Sequence, residues 1–384
     1  MTNQSGKVGI VVSGGPAPGI NAVIGASVIE ASNRGIEVVG FREGFYGACS
    51  SKSEMLVPLT TRDVTRLYNT GGSTLGTSRY NPFSDFSDQN QLEQCLKKNS
   101  IDKVIVIGGD GSMWLSRQLS KKFPDLNIAH IPKTIDNDID LPDHQPTFGF
   151  ETARFYGASI VDTLTVDAKT CKRWYITVTM GRQAGFLSLG IILASGGTLA
   201  VIPEEFNGGK CSIAEIVGKI TPTITAREQA GKPYGVIVLA EGLLDCIDPK
   251  SCDSLKDFPL DELGRITYSE LELADLIIPE LERSLGSEIT FKSKNIGYEL
   301  RCAPPVSYDI EYAKYLGFGA IECLTSKDGA YLITRSGGGI SPLPLEQFFE
   351  HDSVKSRTVD LNSDYYRIAQ NFMIKGELAN PDKL

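Results

Sequence analysis

Histidine is scarce in this chain. The 384 residues include three, His130, His144 and His351, which leaves little room for a His-based triad or a multi-histidine metal site. Eight cysteines (Cys49, Cys95, Cys171, Cys211, Cys246, Cys252, Cys302, Cys323) form no Cys-x-x-Cys pair. Zinc knuckles and dithiol redox motifs are thereby excluded, and the thiols fit a reducing compartment. There is no basic excess: 38 Lys and Arg face 47 Asp and Glu, for a net charge of −9. A nucleic-acid or membrane-surface partner would need a basic stripe, so neither is expected. Apolar runs of about 18 residues are missing too, and the one after Lys7 is too short for a signal-peptide core. The expected protein is cytoplasmic, and any catalysis must rest on carboxylates with Arg and Lys.

What is present is glycine, 39 residues of it, beside short runs rich in Val and Ile. These runs are KVGIVVS (7–13), IEVVGF (36–41), DKVIVIGG (102–109), NIAHIP (127–132), WYITVTM (174–180), LAVIP (199–203) and YGVIVLAEG (234–242). Continuous rather than alternating hydrophobicity predicts strands covered on both faces, hence a mostly parallel sheet. Segments such as GINAVIGASVIEASNRG and SIAEIVGKITPTITAREQAG carry helical spacing and end near glycine. The β-α alternation predicts a doubly wound α/β fold, and the length predicts two domains. The polar stretch at 143–149 marks a crossing point between them, and Asp245 to Gly264 reads as an acidic surface excursion.

Ligands of open α/β sheets sit at the carboxyl ends of strands, so the residues there matter most. SGGPAPGIN (13–21) places glycines before a helix, where backbone N–H groups and the helix dipole can meet an anion. It is neither G-x-G-x-x-G nor a P-loop, and taken alone it is as well read as an ordinary strand-to-helix turn. GGDGSMWL (108–115) repeats the design with Asp110 set in it. A lone Asp at a helix start is usually an N-cap, but among close-approach glycines it also fits a Mg²⁺ held through phosphate oxygens.

IPKTIDNDID (131–140) sets Asp136, Asp138 and Asp140 at alternate positions behind Lys133. In extended chain, residues two apart share a side, so Asp136 and Asp138 are expected to face one cleft and raise one another's pKa, the setting of a general base. A calcium loop fails, because its sixth position is Leu141 rather than Gly and its twelfth is Thr147 rather than Glu. Arg182 in TMGRQAG reads as a cation at a helix start, against the helix dipole, which points to a nearby anion. Glu241 after VLA is a candidate for holding a sugar hydroxyl. Singly, Arg79, Lys172, Arg173, Lys292 and Arg301 read as solvated cations.

Together and in order, SGGPAPGIN, GGSTLGTSR, VIGGDGS, PKTIDND, GFETA, TMGRQAG, IPEE, AEG and GYELR resemble the phosphofructokinase family over Lys7 to about Gly339. The resemblance implies two Rossmann-like lobes: 1–147 plus about 305–350 for the phosphate donor, and 148–304 plus about 351–384 for the sugar phosphate. It implies Mg²⁺-dependent phosphoryl transfer to the 1-hydroxyl of fructose 6-phosphate. Asp136 would take the hydroxyl proton, with Asp138 setting the charge beside it, and Asp110 would hold Mg²⁺. Gly14, Gly109, Gly111 and Ser112 would line the donor site, Arg79 would bridge donor phosphates, and Thr134 and Arg182 would stabilise the phosphoryl group in flight. Met180, Gly181, Glu241, Tyr298 and Arg301 would hold the sugar phosphate, with Arg173 and Lys292 reaching in from a neighbouring subunit of a homodimer or homotetramer.

Three positions depart from the bacterial ATP-using pattern: Pro16 for Asp, Lys133 for Gly and Tyr298 for His. All three lean toward the pyrophosphate-using branch, in which position 111 is typically Asp. Gly111 leaves room for a nucleotide α-phosphate, and Lys133 can hold a donor phosphate without obstructing ATP if its stem swings aside. On Gly111 the sequence favours ATP over pyrophosphate. A sedoheptulose 7-phosphate kinase would keep the same motifs. A non-enzymatic subunit would be expected to have lost one of Asp110, Asp136, Asp138 or Arg182.

Overall fold

The computed structural model describes residues 6–50, 52–206, 210–248 and 272–374. In chain order the strands are β1 (Lys7–Val12), β2 (Val38–Phe41), β3 (Leu56–Leu59), β4 (Ile101–Gly108), β5 (Asn127–Thr134), β6 (Phe148–Gly149), β7 (Trp174–Thr179), β8 (Leu199–Val201), β9 (Gly235–Ala240), β10 (Phe291–Ile296), β11 (Ala330–Ser336), β12 (Gly339–Pro344), β13 (Phe349–Glu350) and β14 (Ser353–Val354). The helices are α1 (Ile20–Asn33), α2 (Phe45–Cys49), α3 (Phe86–Lys98), α4 (Asp110–Lys122), α5 (Phe150–Cys171), α6 (Phe186–Leu193), α7 (Ile213–Gln229), α8 (Leu243–Cys246), α9 (Leu273–Leu285), α10 (Tyr298–Arg301), α11 (Ser307–Ser326) and α12 (Asp364–Phe372).

The chain divides into two compact units, one of Met1–Ile135, Ile139–Ala153 and Glu299–Ser356, the other of Asp136–Asp138, Arg154–Tyr298 and Arg357–Leu384. The sequence reading placed 148–153, 299–304 (Arg301 among them) and 351–356 in the second lobe and Asp136–Asp138 in the first; each stretch belongs to the other unit. No crossing falls at 143–149: the chain visits the second unit at Asp136–Asp138 and passes into it inside α5, after Ala153, where a helix gives no compositional break. The acidic excursion beyond Asp248 lies outside the described residues.

The first unit is built on a sheet of order β12-β11-β5-β4-β1-β2-β3, with β6 beside β5. Its middle is parallel, and the antiparallel β3 and β12 close the two edges. The Val and Ile of β1 and β4 are buried, as their unbroken hydrophobicity predicts. Helices α1 and α11 pack on one another over this core. The chain leaves β1 toward β2 on one side and β4 toward β5 on the other, so the loops after β1 and β4 diverge at a topological switch point, where α/β sheets bind ligands.

The second unit holds a sheet of order β10-β7-β9-β8, parallel throughout. Strands β7, β8 and β9 are buried along their whole length, whereas β10 exposes its four central residues as an edge. Ser212 and Glu215 form a reciprocal capping box that starts α7.

Candidate active site

In the first unit, the turn after β1 is held open by Gly14 at φ 85°, left-handed backbone that favours glycine. The Gly14 N–H donates to Ser78 O at 2.8 Å, and Thr77 Oγ1 donates to Gly14 O at 2.6 Å. The loop carrying Arg79 is thereby fixed beside the glycine turn. Arg79 is itself exposed. A β-carbon on Gly14 would lie 3.5 Å from Lys133 Nζ and 3.7 Å from Ser112 Oγ, so these three expected donor-site residues converge.

Lys133 is 5% exposed and its ammonium donates to Gly15 O. A β-carbon on Gly15 would lie 3.1 Å from Arg301 Nη1, which brings this arginine, expected on the sugar phosphate, against the glycine turn of its own unit. Gly109, not Asp110, is the N-cap of α4, so Asp110 sits in the first helical turn, half-buried, with Ser112 buried behind it. A β-carbon on Gly109 would approach Lys133 O at 3.3 Å, while one on Gly111 would meet nothing within 4 Å. Among the described residues no three of His, Cys, Asp and Glu gather into a metal-binding group. A Mg²⁺ would suit Asp110 as its one carboxylate ligand, because Mg²⁺ commonly takes its other ligands from phosphates and water.

His130, beneath this floor, is fully buried; its Nε2–H donates to Gly108 O at 3.1 Å and its Nδ1 accepts from Ser116 Oγ at 2.9 Å. Burial pulls its pKa down to about 3, so it is a neutral strut. Thr134 closes β5 and is buried, with its carbonyl accepting from Thr147 Oγ1 at 2.7 Å.

The second unit takes over at Asp136. The extended geometry expected for Asp136 to Asp138 is not what the chain adopts: Asn137 sits at φ 58°, so the two-residue alternation is broken between the carboxylates. Asp136 is 3% exposed, Asp138 is half-buried and Asp140 is exposed. Asp136 Oδ2 lies 3.5 Å from Arg182 Nε. Arg182 is not at a helix start, since α6 begins at Phe186; it occupies the preceding loop at φ 49°, so the argument from the helix dipole does not apply.

That loop is clamped by carboxylates. Glu241 Oε1, at the end of β9, accepts from the N–H groups of Gly181 (3.1 Å) and Arg182 (2.9 Å). One oxygen of the residue expected to hold a sugar hydroxyl is therefore spent on shaping the loop. Gly242 must lack a side chain, because a β-carbon there would sit 2.1 Å from Arg182 O. Glu204 Oε1 accepts from Gly185 N at 2.9 Å and from Val359 N at 2.8 Å. Burial raises its pKa. The IPEE motif contained Glu204, and its place after β8 was the available signal for this role.

Met180 follows β7, its N–H bonded to Ile296 O at 3.2 Å, and Tyr298 follows β10 at 79% exposure. Met180, Gly181, Arg182, Glu241 and Tyr298 thus all stand at carboxyl ends of the second sheet. Arg173 and Lys292 do not join them. They lie at the amino ends of β7 and β10, which run parallel with Lys292 opposite Tyr175, and a six-residue strand is about 20 Å long. Arg173 is ion-paired to Asp167 at 2.5 Å, with the Tyr175 hydroxyl 2.6 Å from the same carboxylate.

The family model for phosphofructokinase matches residues 7–324. The chain belongs to the phosphofructokinase family. It is similar to the pyrophosphate–fructose 6-phosphate 1-phosphotransferase of Naegleria fowleri, at 40% identity over 98% of this chain and 90% of that one. It is also similar to ATP-dependent 6-phosphofructokinase 3 of Bacteroides thetaiotaomicron, at 31% identity over 89% of this chain and 92% of that one. The structure of a pyrophosphate-dependent phosphofructokinase from Nitrosospira multiformis superposes with a TM-score of 0.71 at 20% identity, covering 99% of this phosphofructokinase-family chain and 96% of that one. This likeness shows the phosphofructokinase fold. Among the described residues no helix is long and apolar enough to cross a membrane.

Proposed function

We propose that this protein transfers a phosphoryl group to the 1-hydroxyl of fructose 6-phosphate and that its donor is pyrophosphate. The observation that carries the donor is Lys133, a buried ammonium hydrogen-bonded to Gly15 O and close to Gly14. A lysine seated in the donor turn is not the flexible one that would swing aside for a nucleotide. It supplies a fixed positive charge suited to a small, highly charged anion. The greater similarity to a pyrophosphate-dependent relative supports the same reading. ATP remains the second reading, favoured by the open space at Gly111 and by the ATP-dependent relative.

In this reading Asp136 accepts the proton of the 1-hydroxyl as it attacks, and Asp138 sets the charge around the reacting oxygen. The family's transition state spreads charge over the transferred oxygens and needs positioned cations more than covalent help. Arg182 and Thr134 supply that stabilisation. The Gly14 turn, Gly109, Gly111, Ser112, Lys133 and Arg79 orient the donor. Mg²⁺ bound through Asp110 would neutralise donor oxygen charge. Met180, Gly181, Tyr298 and Arg301 hold the sugar phosphate, and Glu241 presents the loop that carries Arg182.

Arg173 and Lys292 stand at the other end of the second sheet from Met180, Gly181 and Tyr298, which supports their serving the site of another copy in a homo-oligomer. The test is initial rate with fructose 6-phosphate and Mg²⁺, comparing pyrophosphate with ATP at equal concentration. A faster pyrophosphate rate is expected. A rate found only with ATP would reverse the donor, and no turnover with either would remove the reading.

A further inference from the structure

The C-terminal arm reaches the residues around Asp136. From Arg357 onward the chain belongs to the second unit, together with Asp136–Asp138. The Arg357 N–H donates to Asp138 O at 2.9 Å, its Nε donates to Asn137 O at 2.9 Å, and its Nη2 donates to Asn137 Oδ1 at 2.5 Å. One guanidinium therefore takes both oxygens of Asn137, a fork geometry that lysine cannot reproduce. Asn137 is 6% exposed and sits at φ 58°. A non-glycine residue in that region is strained, Asn less than most, and persists only where its surroundings enforce it.

The same guanidinium stacks on the Phe186 ring at 4.9 Å to the centroid. Phe186 opens α6, directly after the loop that carries Arg182. Two residues further on, the Val359 N–H meets Glu204 Oε1, which also holds Gly185. The arm at 357–359 therefore touches the Asp136–Asp138 turn on one side and the 182–186 loop on the other. Asp136 and Arg182, 3.5 Å apart, are the two groups these segments present.

We propose that Arg357 is a positioning residue for phosphoryl transfer: it fixes Asn137 in its left-handed turn, and so fixes the direction in which Asp136 meets the substrate hydroxyl beside Arg182. The inference rests on the proposed function for its kinetic readout but not for its structural one. Without the fork Asn137 relaxes toward ordinary backbone angles and the Asp136 carboxylate turns away from its working geometry. A misplacement on the order of 1 Å costs about 10²-fold in rate. Because Arg357 need not touch the sugar phosphate, the loss falls on kcat.

The experiment compares wild type with Arg357→Ala, Arg357→Lys and Asn137→Ala. Arg357→Ala is expected to lower kcat about 10- to 100-fold with less than about threefold change in KM for fructose 6-phosphate. Arg357→Lys restores little of it, added guanidinium restores part, and added methylammonium does not. The double variant with Asn137→Ala is no slower than the worse single variant, the coupling expected of two groups that act as one. Amide hydrogen exchange in the peptide around 131–141 quickens in Arg357→Ala, a readout that needs no turnover. A kcat within twofold of wild type with unchanged exchange would overturn the proposal. So would full rescue by lysine, or additive losses in the double variant. A wild type inactive with both donors would instead reject the proposed function, leaving hydrogen exchange to decide on Arg357.

Discussion

Replacing Lys133 by Met removes the buried charge while keeping most of the stem's volume. In the folded protein the ammonium bonds to Gly15 O beside the Gly14 turn. If it also meets a donor phosphate, one charge-assisted hydrogen bond of about 1.5 to 3 kcal/mol is lost. Converted at about 1.4 kcal/mol per decade, kcat/KM for pyrophosphate falls roughly 10- to 150-fold. Gly15 O, on a half-buried residue, also loses its donor, which is expected to lower Tm without entering the rate.

ATP offers a longer polyphosphate with other contacts, so its kcat/KM is expected to change by less than about fivefold. The assay is aldolase-coupled initial rate with each donor, at saturating fructose 6-phosphate and below the melting temperature of the variant. Equal losses for the two donors would show that Lys133 holds the turn together and does not choose the donor. A pyrophosphate kcat/KM within twofold of wild type would refute the reasoning outright.

Three further outcomes are expected. Asp136→Asn is expected to lower kcat by about 10² to 10⁴ with modest change in KM for the sugar, checked by steady-state kinetics, because it removes the proposed proton acceptor and the charge beside Arg182. Gly111→Asp introduces a carboxylate into open space beside Asp110; the ATP rate is expected to drop about tenfold or more while the pyrophosphate rate holds within about threefold, measured as paired initial rates. Asp309 is buried where it accepts from Gly149 N–H, Thr152 N–H and Thr152 Oγ1, and its desolvation raises its pKa to about 6. A carboxyl raised on folding contributes its stability below the unfolded value near 3.8 and loses it as pH climbs through about 6. Wild type therefore gives up about 3 kcal/mol relative to Asp309→Asn between pH 3.5 and 7, a difference in slope that urea unfolding at several pH values reads directly.

Strands β1, β2, β4, β5, β7, β8 and β9 were legible because each lies in a short unbroken apolar run, and such runs fit strands covered on both faces. Strands β10 and β12 were not, because β10 carries four exposed central residues and β12 is a partly exposed edge broken by proline. Helices α1 and α7 were legible from their period and their ends. The glycine turns after β1 and β4 were legible as turns at strand ends, and Gly14, Ser112 and Lys133 do converge there. The geometry of the Asp136–Asp138 turn was not. An alternating DND pattern reads as extended chain, and nothing local says that Asn137 adopts a left-handed angle. Arg182 was misplaced onto a helix because the start of α6, with no capping side chain, gives no sequence signal.

Composition and pattern by themselves determined that this is a mostly parallel α/β protein of two units, and that carboxylates and cations gather at its strand ends. Local physics suffices for that, since strand burial, helix period and glycine turns are each decided within a few residues. Only the tertiary structure decided which side chain serves which neighbour. Glu241 became a clamp for the Arg182 loop, and Arg357 came to lie on Asn137, 220 residues away in sequence. Such pairings depend on how the chain returns through space. They cost loop-closure entropy without leaving a pattern in either segment, so no reading of one segment alone could supply them.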